Sequence, residues 1–255
     1  MYQSLEATLH DLFWNAEPDA DESPLLRRFL DSHPGKSLEI GCGSGRLLLP
    51  LIKQGYDIEG VEISKDMVEL LAENAQKQNL SPTIHHADVT VFTPESRYSA
   101  VTIPAFTLQL LSRKLAREVL SSLRKISTDD GALYFTVFIP WAEILGDLEE
   151  DVWHLDKKSP YEDRKTARCY TKHSMNRLDQ ILHRKHRYEI AKPSGKRIEE
   201  HLSEQQLQWY FLPELKLLLE QTGWIYTGHD ADFTADHQDQ DAHLLTVYAA
   251  ASSVA

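Results

Sequence analysis

Three glycines at alternate positions, Gly41, Gly43 and Gly45, lie in the segment SLEIGCGSGR (37–46), directly after a short apolar run. Because glycine has no Cβ atom, the backbone can turn tightly there and come close to a ligand. A helix that starts after such a turn presents unpaired N–H groups to a carboxylate or phosphate. Glycine spacing alone is a weak signal, since a bare turn could produce it, so the segment predicts a ligand site only together with its neighbours.

Two acidic residues near this turn narrow the kind of ligand. Glu62 ends the next predicted strand, 17 residues after Gly45, where a carboxylate can accept two hydrogen bonds from a ribose diol. A dinucleotide site would carry G-x-G-x-x-G, whereas this chain has G-x-G-x-G with Glu39 two residues ahead of it. A carboxylate there would repel a pyrophosphate and suits an ammonium or sulfonium group, which favours a ligand of the second kind.

The elements that must position these residues follow an alternating pattern. From 36 to about 137, short apolar runs alternate with segments of helical period, which is typical of βαβ units and a parallel sheet. Residues 164–210 are polar with the turn signal Pro193-Ser194-Gly195, which favours antiparallel strands. The sequence predicts strands at 37–40, 57–62, 83–87, 99–103, 132–138, 224–230 and 244–249, helices at 2–14, 23–32, 45–54, 64–79, 113–127, 141–148 and 212–221, and a turn at 129–131.

Five ordered motifs resemble those of class I S-adenosylmethionine-dependent methyltransferases of the bacterial small-molecule type. They are SLEIGCGSGR (37–46), GVEIS (60–64) followed by Met67, ADV (87–89), VTIPAFTLQLL (101–111), and FLPEL (211–215) with QTGW (221–224). The resemblance covers roughly 36–140 and 209–250. It implies an α/β fold, with a doubly wound, seven-stranded, mostly parallel Rossmann-like sheet and an antiparallel β insertion.

The same resemblance implies S-adenosyl-L-methionine as cofactor and S-adenosyl-L-homocysteine as product. The glycines would contact the methionine part with help from Glu39, Glu62 would hold the ribose, and Asp88 with the N–H of Val89 would hold the adenine. Packing as a small hydrophobic residue is the alternative for Cys42, and a role as a turn cap is the alternative for Asp88. The predicted cofactor-binding residues are Glu39, Gly41, Cys42, Gly43, Gly45, Glu62, Ile63, Met67, Asp88, Val89 and Pro104.

Aromatic side chains suit a methylated cation, so they supply the candidates for contact with the acceptor. Core packing is the alternative for each of them, and none of the 12 histidines can be chosen as a base. In relatives of this type an N-terminal Tyr-Asp pair covers the donor, and His10-Asp11 stands at the comparable place here. The predicted substrate-binding residues are Phe13, Trp14, Phe106, Gln109, Trp141 and Trp209.

Motifs that are missing from the chain restrict the reaction. IPAF (103–106) replaces the Asn/Asp-Pro-Pro-Tyr/Phe run of amino-methylating DNA enzymes, and Thr102 and Ile103 replace the Asp that metal-dependent catechol enzymes need. The sequence therefore predicts methyl transfer to N or O of a small molecule. A nicotinamide-dependent oxidoreductase and a non-catalytic, S-adenosylmethionine-binding regulatory protein remain as alternatives.

Charge divides the chain unevenly. The net charge is −12, but residues 151–205 carry 13 basic and 9 acidic residues and the remainder carries −16. This balance argues against a membrane or nucleic acid as the main partner. We expect N-terminal helices at 1–35 that cover the site, a methyltransferase core at 36–150 and 206–255, and a β-rich insertion at 151–205. The insertion would cover the active site or form a homodimer contact, and its charge would suit an anionic small-molecule substrate.

Metal-binding and targeting signals are weak. Two cysteines, Cys42 and Cys169, make neither a disulfide framework nor a structural zinc site. The His and Asp residues between 229 and 243 match no defined metal spacing and predict a solvated acidic loop. No metal is predicted. The chain start lacks a basic end with an apolar run, and no stretch of 18 apolar residues occurs, so a cytoplasmic protein is expected.

Overall fold

The computed structural model describes residues 4–14 and 21–252. The N-terminal helix was predicted to begin at Tyr2, and its first two predicted residues lie outside the described residues. The helices are α1 (Ser4–Trp14), α2 (Ser23–Ser32), α3 (Leu48–Lys53), α4 (Lys65–Lys77), α5 (Arg113–Ile126), α6 (Trp141–Leu145) and α7 (Leu212–Gln221), with 3₁₀ turns at Thr107–Leu110 and Glu162–Arg164.

Seven strands form the main sheet. They are β1 (Ser37–Ile40), β2 (Ile58–Glu62), β3 (Ile84–His86), β4 (Tyr98–Ile103), β5 (Ser127–Phe138), β10 (Trp224–Ala231) and β11 (Leu244–Ala251). Their order is β10-β11-β5-β4-β1-β2-β3, and β11 runs antiparallel to both of its neighbours. The predicted α/β fold class, a doubly wound and mostly parallel sheet with an antiparallel insertion, is confirmed.

Each face of this sheet has its own apolar core, as double winding requires. On one face, α5 and α7 bury Val119, Leu120 and Leu215 against alternate residues of β4 and β5. On the other face, α2, α3 and α4 pack against residues of β2, β4 and β5, among them Tyr134. Both cores leave the carboxyl ends of β1, β2 and β4 uncovered by these helices, and ligands bind at such ends in open α/β sheets.

A second, antiparallel sheet lies over that edge. Its strands are β6 (His154–Tyr161), β7 (Lys165–Asn176), β8 (Ile181–Ala191) and β9 (Arg197–Gln208), in the order β6-β7-β8-β9. One face of it packs against α1, where Leu5, Leu9 and Phe13 contact Ala167, Cys169, Tyr188 and Ile190. The N-terminal helix is therefore held by the second sheet.

Strand β5 starts earlier than the sequence predicts. Residues 129–131 were predicted to form a turn, and that prediction is wrong, because they are part of β5. The Asp-Asp-Gly sequence instead coincides with an irregular register, in which Tyr98 pairs with Ser127 and Ala100 pairs with Ala132. A bulge of this kind absorbs turn-forming residues without ending the strand.

Within the described residues, no helix has both the length and the apolar character needed to span a membrane.

Gly60 gives a test of how β2 packs against the glycine loop (41–46). A Cβ atom there would lie 2.6 Å from Cys42 Sγ and 3.0 Å from Leu48 Cδ2. Gly228, in β10, is a matched control, because a Cβ atom there would meet nothing within 4 Å. We expect Gly60→Ala to lower the free energy of unfolding by about 1–3 kcal/mol through overpacking, and Gly228→Ala to change it by less than about 0.5 kcal/mol. Urea denaturation measures both, and equal effects would contradict this packing.

Candidate functional site

The glycine loop connects β1 to α3 in left-handed conformations. Gly41, Gly43 and Gly45 have φ of +71°, +53° and +82°, a region that side chains other than glycine rarely adopt. A Cβ atom on Gly41 would lie 2.7 Å from Thr107 Cγ2. At Gly43 the nearest atom would be the Gly41 oxygen, 3.9 Å away, so the backbone of this glycine borders open space. Gly45 packs inward, where a Cβ would lie 2.8 Å from Leu49 Cγ.

Glu62 links the glycine loop to the end of β2. It is 7% exposed; its Oε2 accepts the N–H of Gly43 at 2.9 Å and its Oε1 accepts the N–H of Ser64 at 2.7 Å. A carboxylate offers about four lone-pair sites, so both oxygens can still accept a hydrogen bond from a ligand. The side chain is thereby oriented before any ligand arrives.

Two further carboxylates lie buried beneath the loop. Glu39 is 2% exposed, and its Oε2 has no hydrogen-bond partner. Burial, with repulsion from Glu22 and Glu62, raises the pKa of Glu39 to about 8. Burial also raises the pKa of Glu22 to about 7, and the charge of Arg46 opposes that rise. An unpartnered buried polar atom is costly, and a cationic or hydrogen-donating ligand would satisfy it.

Glu22 was not among the predicted site residues, yet it clamps the turn after β4. Its Oε1 accepts the N–H of Ala105 at 3.0 Å and lies 3.6 Å from Arg46, while its Oε2 accepts from the Tyr134 hydroxyl at 3.3 Å. Ala105 and Phe106 have φ of +51° and +61°. Residues other than glycine keep this left-handed conformation only where surrounding contacts hold them, and such residues cluster at functional sites.

Helix α1 is fastened over the glycine loop by Asp11. Its carboxylate accepts from Ser44 Oγ at 2.5 Å, from Asn74 Nδ2 at 3.1 Å and lies 2.9 Å from His10 Nδ1. Although burial opposes the charged form, the hydrogen bonds from His10 and Ser44 hold the pKa of Asp11 below its usual value. The sequence showed only that His10-Asp11 replaces a Tyr-Asp pair, and the structure shows what Asp11 contacts.

A first cavity lies between the glycine loop, the ends of β1, β2 and β4, and α1. All predicted cofactor-binding residues except Gly45 line it. Asp88 is exposed there, and its Oδ1 accepts both the N–H and the hydroxyl of Thr90. This is the turn-capping alternative, and it leaves Oδ2 as the oxygen that can meet a ligand. Cys42 is buried against Gly60, and burial raises the pKa of its thiol.

A second cavity opens beside the first and shares His10, Trp14, Ala105, Leu110 and Gln205 with it. Aromatic rings stand where the two meet, with Trp14 and Phe106 centroids 6.4 Å apart and Phe106 edge-on to Phe138 at 5.3 Å. The second sheet supplies the opposite wall. Its polar groups there are Asp156, Lys157, Cys169, Arg184, His186, Tyr188 and Gln205.

The predicted substrate-binding residues divide between this cavity and the core. Phe13, Trp14, Phe106 and Trp141 line the second cavity. Gln109 is fully buried, and its amide bonds the backbone of Phe138 and of Gln208. Trp209 is buried with Leu182 and Leu207. Gln109 and Trp209 thus connect the second sheet to β5 rather than lining the cavity.

The His- and Asp-rich segment at 229–243 lies mostly in the connection between β10 and β11, but its first residues, His229 and Asp230, belong to β10 and depart from the predicted solvated loop. Asp230 is buried and accepts from Arg28 at 2.7 Å and from the Tyr248 hydroxyl at 2.8 Å. Asp232 accepts the N–H groups of His243 and Leu244. These carboxylates therefore fasten the loop to the sheet.

Comparison with known proteins identifies the class of the domain. Residues 38–131 match the family model described as "Methyltransferase domain". The chain is 35% identical over 86 residues, 32% of this chain and 31% of the relative, to dTDP-3-amino-3,6-dideoxy-alpha-D-glucopyranose N,N-dimethyltransferase of Streptomyces fradiae. It spans less than half the length of the first curated relatives that it matches.

Solved structures share the whole fold at low identity. An S-adenosylmethionine-dependent methyltransferase from Clostridium acetobutylicum aligns with a TM-score of 0.78 at 12% identity, over 96% of this chain and 97% of that one. CalS10, an amino pentose methyltransferase from Micromonospora echinaspora, aligns with a TM-score of 0.72 at 14% identity, over 99% and 98%. The resemblance to class I methyltransferases is thus confirmed, and S-adenosylmethionine is the cofactor of this class of domain.

The buried carboxylates predict an unusual pH dependence of stability. An unfolded glutamate has a pKa of 4.5, whereas that of folded Glu39 is about 8. Between these two pH values, Glu39 keeps its proton in the folded chain and loses it in the unfolded chain. The free energy of unfolding should therefore fall as the pH rises from about 5 to above 8.

Glu39→Gln should remove much of this loss. Between about pH 5.5 and 8.5 we expect the parent chain to lose at least about 1.4 kcal/mol more than the variant, the value of a single pKa unit. Glu69→Gln, on the exposed surface of α4, is the control and should follow the parent. Urea denaturation at both pH values measures this, and parallel curves for the parent chain and Glu39→Gln would count against a protonated Glu39.

Proposed function

We propose that this chain transfers a methyl group from S-adenosylmethionine to an amino nitrogen of a small polar molecule of the amino sugar type. Its residues 38–131 match the methyltransferase domain family. The observation that carries the proposal is the junction of two cavities. One cavity combines a glycine loop with buried carboxylates, the other combines aromatic rings with polar groups, and they meet at Trp14 and His10.

The first cavity fits the donor on three observations. Gly43 leaves open space at the backbone, Glu62 is fixed with lone pairs to spare for a ribose diol, and Glu39 Oε2 is a buried acceptor without a partner. These residues would hold the glycine-loop side, the ribose and the methionine part, while Asp88 and Val89 would hold the adenine. When bound, the donor supplies a methyl group on a positively charged sulfonium.

The carboxylates also argue against the nicotinamide alternative. Glu22, Glu39 and Glu62 are all buried within interaction distance of the glycine loop, and Arg46 is the cation beside them. Interactions between charges are strong in such a poorly solvated place. A bound pyrophosphate would make it more costly to ionise Glu22 and Glu39, whereas a sulfonium with an ammonium group would favour their charged forms and be attracted by them.

The second cavity supports an amine acceptor. The carboxyl group of Glu6 is buried at its wall and accepts from Ser203 Oγ at 3.0 Å. Burial raises the pKa of Glu6. Lys157 and Arg184 come from the insertion, but Arg184 is paired with Glu143 at 2.6 Å. This mixed balance favours an acceptor with an amine and further polar groups. The relatives that act on amino sugars support the same choice.

His10 is the candidate for removing the proton of an ammonium acceptor. It lines both cavities, and its Nδ1 lies 2.9 Å from Asp11, a carboxylate that can fix the orientation of the ring. Trp14 and Phe106 would then exclude water around the nitrogen, and aromatic faces accommodate the methylated cation that results. The chain would contribute to catalysis mainly by positioning the acceptor nitrogen against the methyl group and by accepting its proton.

Two substitutions test the donor site. Gly43→Val would place a β-branched side chain in a left-handed position at the cavity, and Glu62→Ala would remove the acceptor of two backbone N–H groups. Because charge-assisted hydrogen bonds contribute about 1.5–3 kcal/mol, we expect each variant to weaken S-adenosylhomocysteine binding by about 10- to 100-fold. Glu69→Ala on exposed α4 is the control. Calorimetry measures the affinities, and unchanged binding in both variants would refute the donor site.

His10→Gln tests the proton acceptor. With an amino sugar as acceptor at neutral pH, we expect kcat to fall by about 100-fold or more, the usual contribution of general-base catalysis. The loss should shrink at alkaline pH, where the amine is already deprotonated. His183→Gln is the control, because His183 is exposed on the same strand as His186.

A kcat deficit for His10→Gln that does not change with pH would exclude this role for His10. Donor binding without turnover on any amine or hydroxyl acceptor would instead favour the non-catalytic alternative.

A further inference from the structure

We propose that Asp156, Cys169 and His186 bind a divalent transition metal ion of the zinc type on the wall of the second cavity. One ligand atom from each of these side chains lies within 4.8 Å of the others. The proposal rests on these residues alone and does not depend on methyl transfer.

The second sheet brings the three side chains to one face. In β7 and β8, Thr171 pairs with His186 and Cys169 pairs with Tyr188. Directly paired residues share a face, so Cys169 and His186 are diagonal neighbours, with Sγ 3.9 Å from Nδ1. Sulfur and nitrogen ligands of tetrahedral zinc stand about 3.5 Å apart, given bonds of about 2.3 and 2.0 Å. A small side-chain movement would therefore close the site.

A β-bulge supplies the third ligand. Leu155 pairs with Tyr170 and Lys157 with Cys169, so Asp156 is an extra residue without a partner in β7. Bulges redirect side chains, often beside active sites. Here the bulge brings Asp156 to the same cavity wall as Cys169, whereas regular alternation would place only one of Asp156 and Lys157 there.

Neighbouring polar groups hold these ligands in orientation. The hydroxyl of Thr171 donates to Asp156 Oδ2 at 2.9 Å, which leaves Oδ1 for an ion. Thr171 Oγ1 also lies 3.0 Å from His186 Nδ1, a contact that an ion bound through Nδ1 would replace, and Gln205 hydrogen-bonds the same imidazole. Outer partners of this kind are a regular feature of metal sites.

A metal ion would bind the neutral imidazole of His186 and the thiolate of Cys169. The thiol would release its proton to solvent when the metal–sulfur bond forms. A thiolate and a carboxylate then balance the charge of a divalent ion, despite Lys157 and Arg184 nearby.

Three protein ligands leave one tetrahedral position open, and all three residues line the cavity. Catalytic zinc sites share this arrangement, with water or a substrate atom in the fourth position. The open position would face the space assigned to the acceptor. The metal would thus bind a polar group of a molecule in the second cavity.

Cobalt(II) is a suitable probe, because its absorption reports thiolate ligation. The full chain, freed of metal by a chelator, should bind one equivalent of Co²⁺ with a thiolate-to-cobalt charge-transfer band, and Zn²⁺ should displace it. Cys169→Ser should abolish the band. His186→Ala should weaken Co²⁺ binding by at least about tenfold, and Thr171→Val should weaken it by about tenfold.

The matched control is His237→Ala, in the exposed group formed by Asp232, His237 and Asp239. It should leave the band and the affinity unchanged. Circular dichroism and urea midpoints show whether each variant is folded, and Cys169→Ala provides a second replacement if the serine is not tolerated. Absence of the band, its persistence without Cys169, or its loss in His237→Ala would each overturn the proposal.

Discussion

A buried carboxylate, Glu22, joins three parts of the molecule that lie far apart in the chain. Glu22 is the residue directly before α2. Its carboxyl group accepts the N–H of Ala105 after β4 and lies beside Arg46 at the end of the glycine loop. That bond and the one from the Phe106 N–H to Thr136 Oγ1 hold the left-handed pair Ala105 and Phe106, and Phe106 stands where the two cavities meet. Glu39 and Glu62 are buried on the same side, so a cation bound at the loop would favour the charged form of Glu39, whose pKa burial raises.

Helix α1 completes both cavities from outside the main sheet. Asp11 fixes it to Ser44 of the glycine loop and to Asn74 of α4, while its apolar side packs on the insertion. The two cavities and the second sheet are thereby connected through a single helix. A structural change in the second sheet should therefore alter the position of α1 and, through Asp11, that of the glycine loop. Asp11 and this loop are 30 or more residues apart in sequence.

The sequence predicted the main sheet and most of the first cavity because these features are local. The apolar strands, the glycine spacing, and acidic residues at strand ends all lie within short segments that the fold must place at one edge. Asp88 and Val89 were predicted from the resemblance of residues 87–89 to the family's motif, and both line the first cavity. Glu22 could not, since it lies in a polar stretch and its partners Ala105 and Tyr134 are 83 and 112 residues away.

The second cavity was harder to predict for the same reason. Aromatic residues can be packed in a core or exposed to a ligand, and only the fold separates Phe106 from Trp209. The turn predicted at 129–131 failed because a strand partner, β4, overrode local turn propensity through an irregular register. Asp156, Cys169 and His186 are on three strands whose pairing includes a bulge, so their spacing in sequence gives no metal signal.

Calorimetric titration of the parent chain with S-adenosylmethionine, in buffers of different ionisation enthalpy, tests the central claim most directly. If the buried carboxylates hold a cation, one equivalent should bind near pH 7 with net release of protons, because the ligand stabilises the charged form of Glu39. NAD⁺ should not compete. Absence of binding, net proton uptake, or displacement by NAD⁺ would contradict the account.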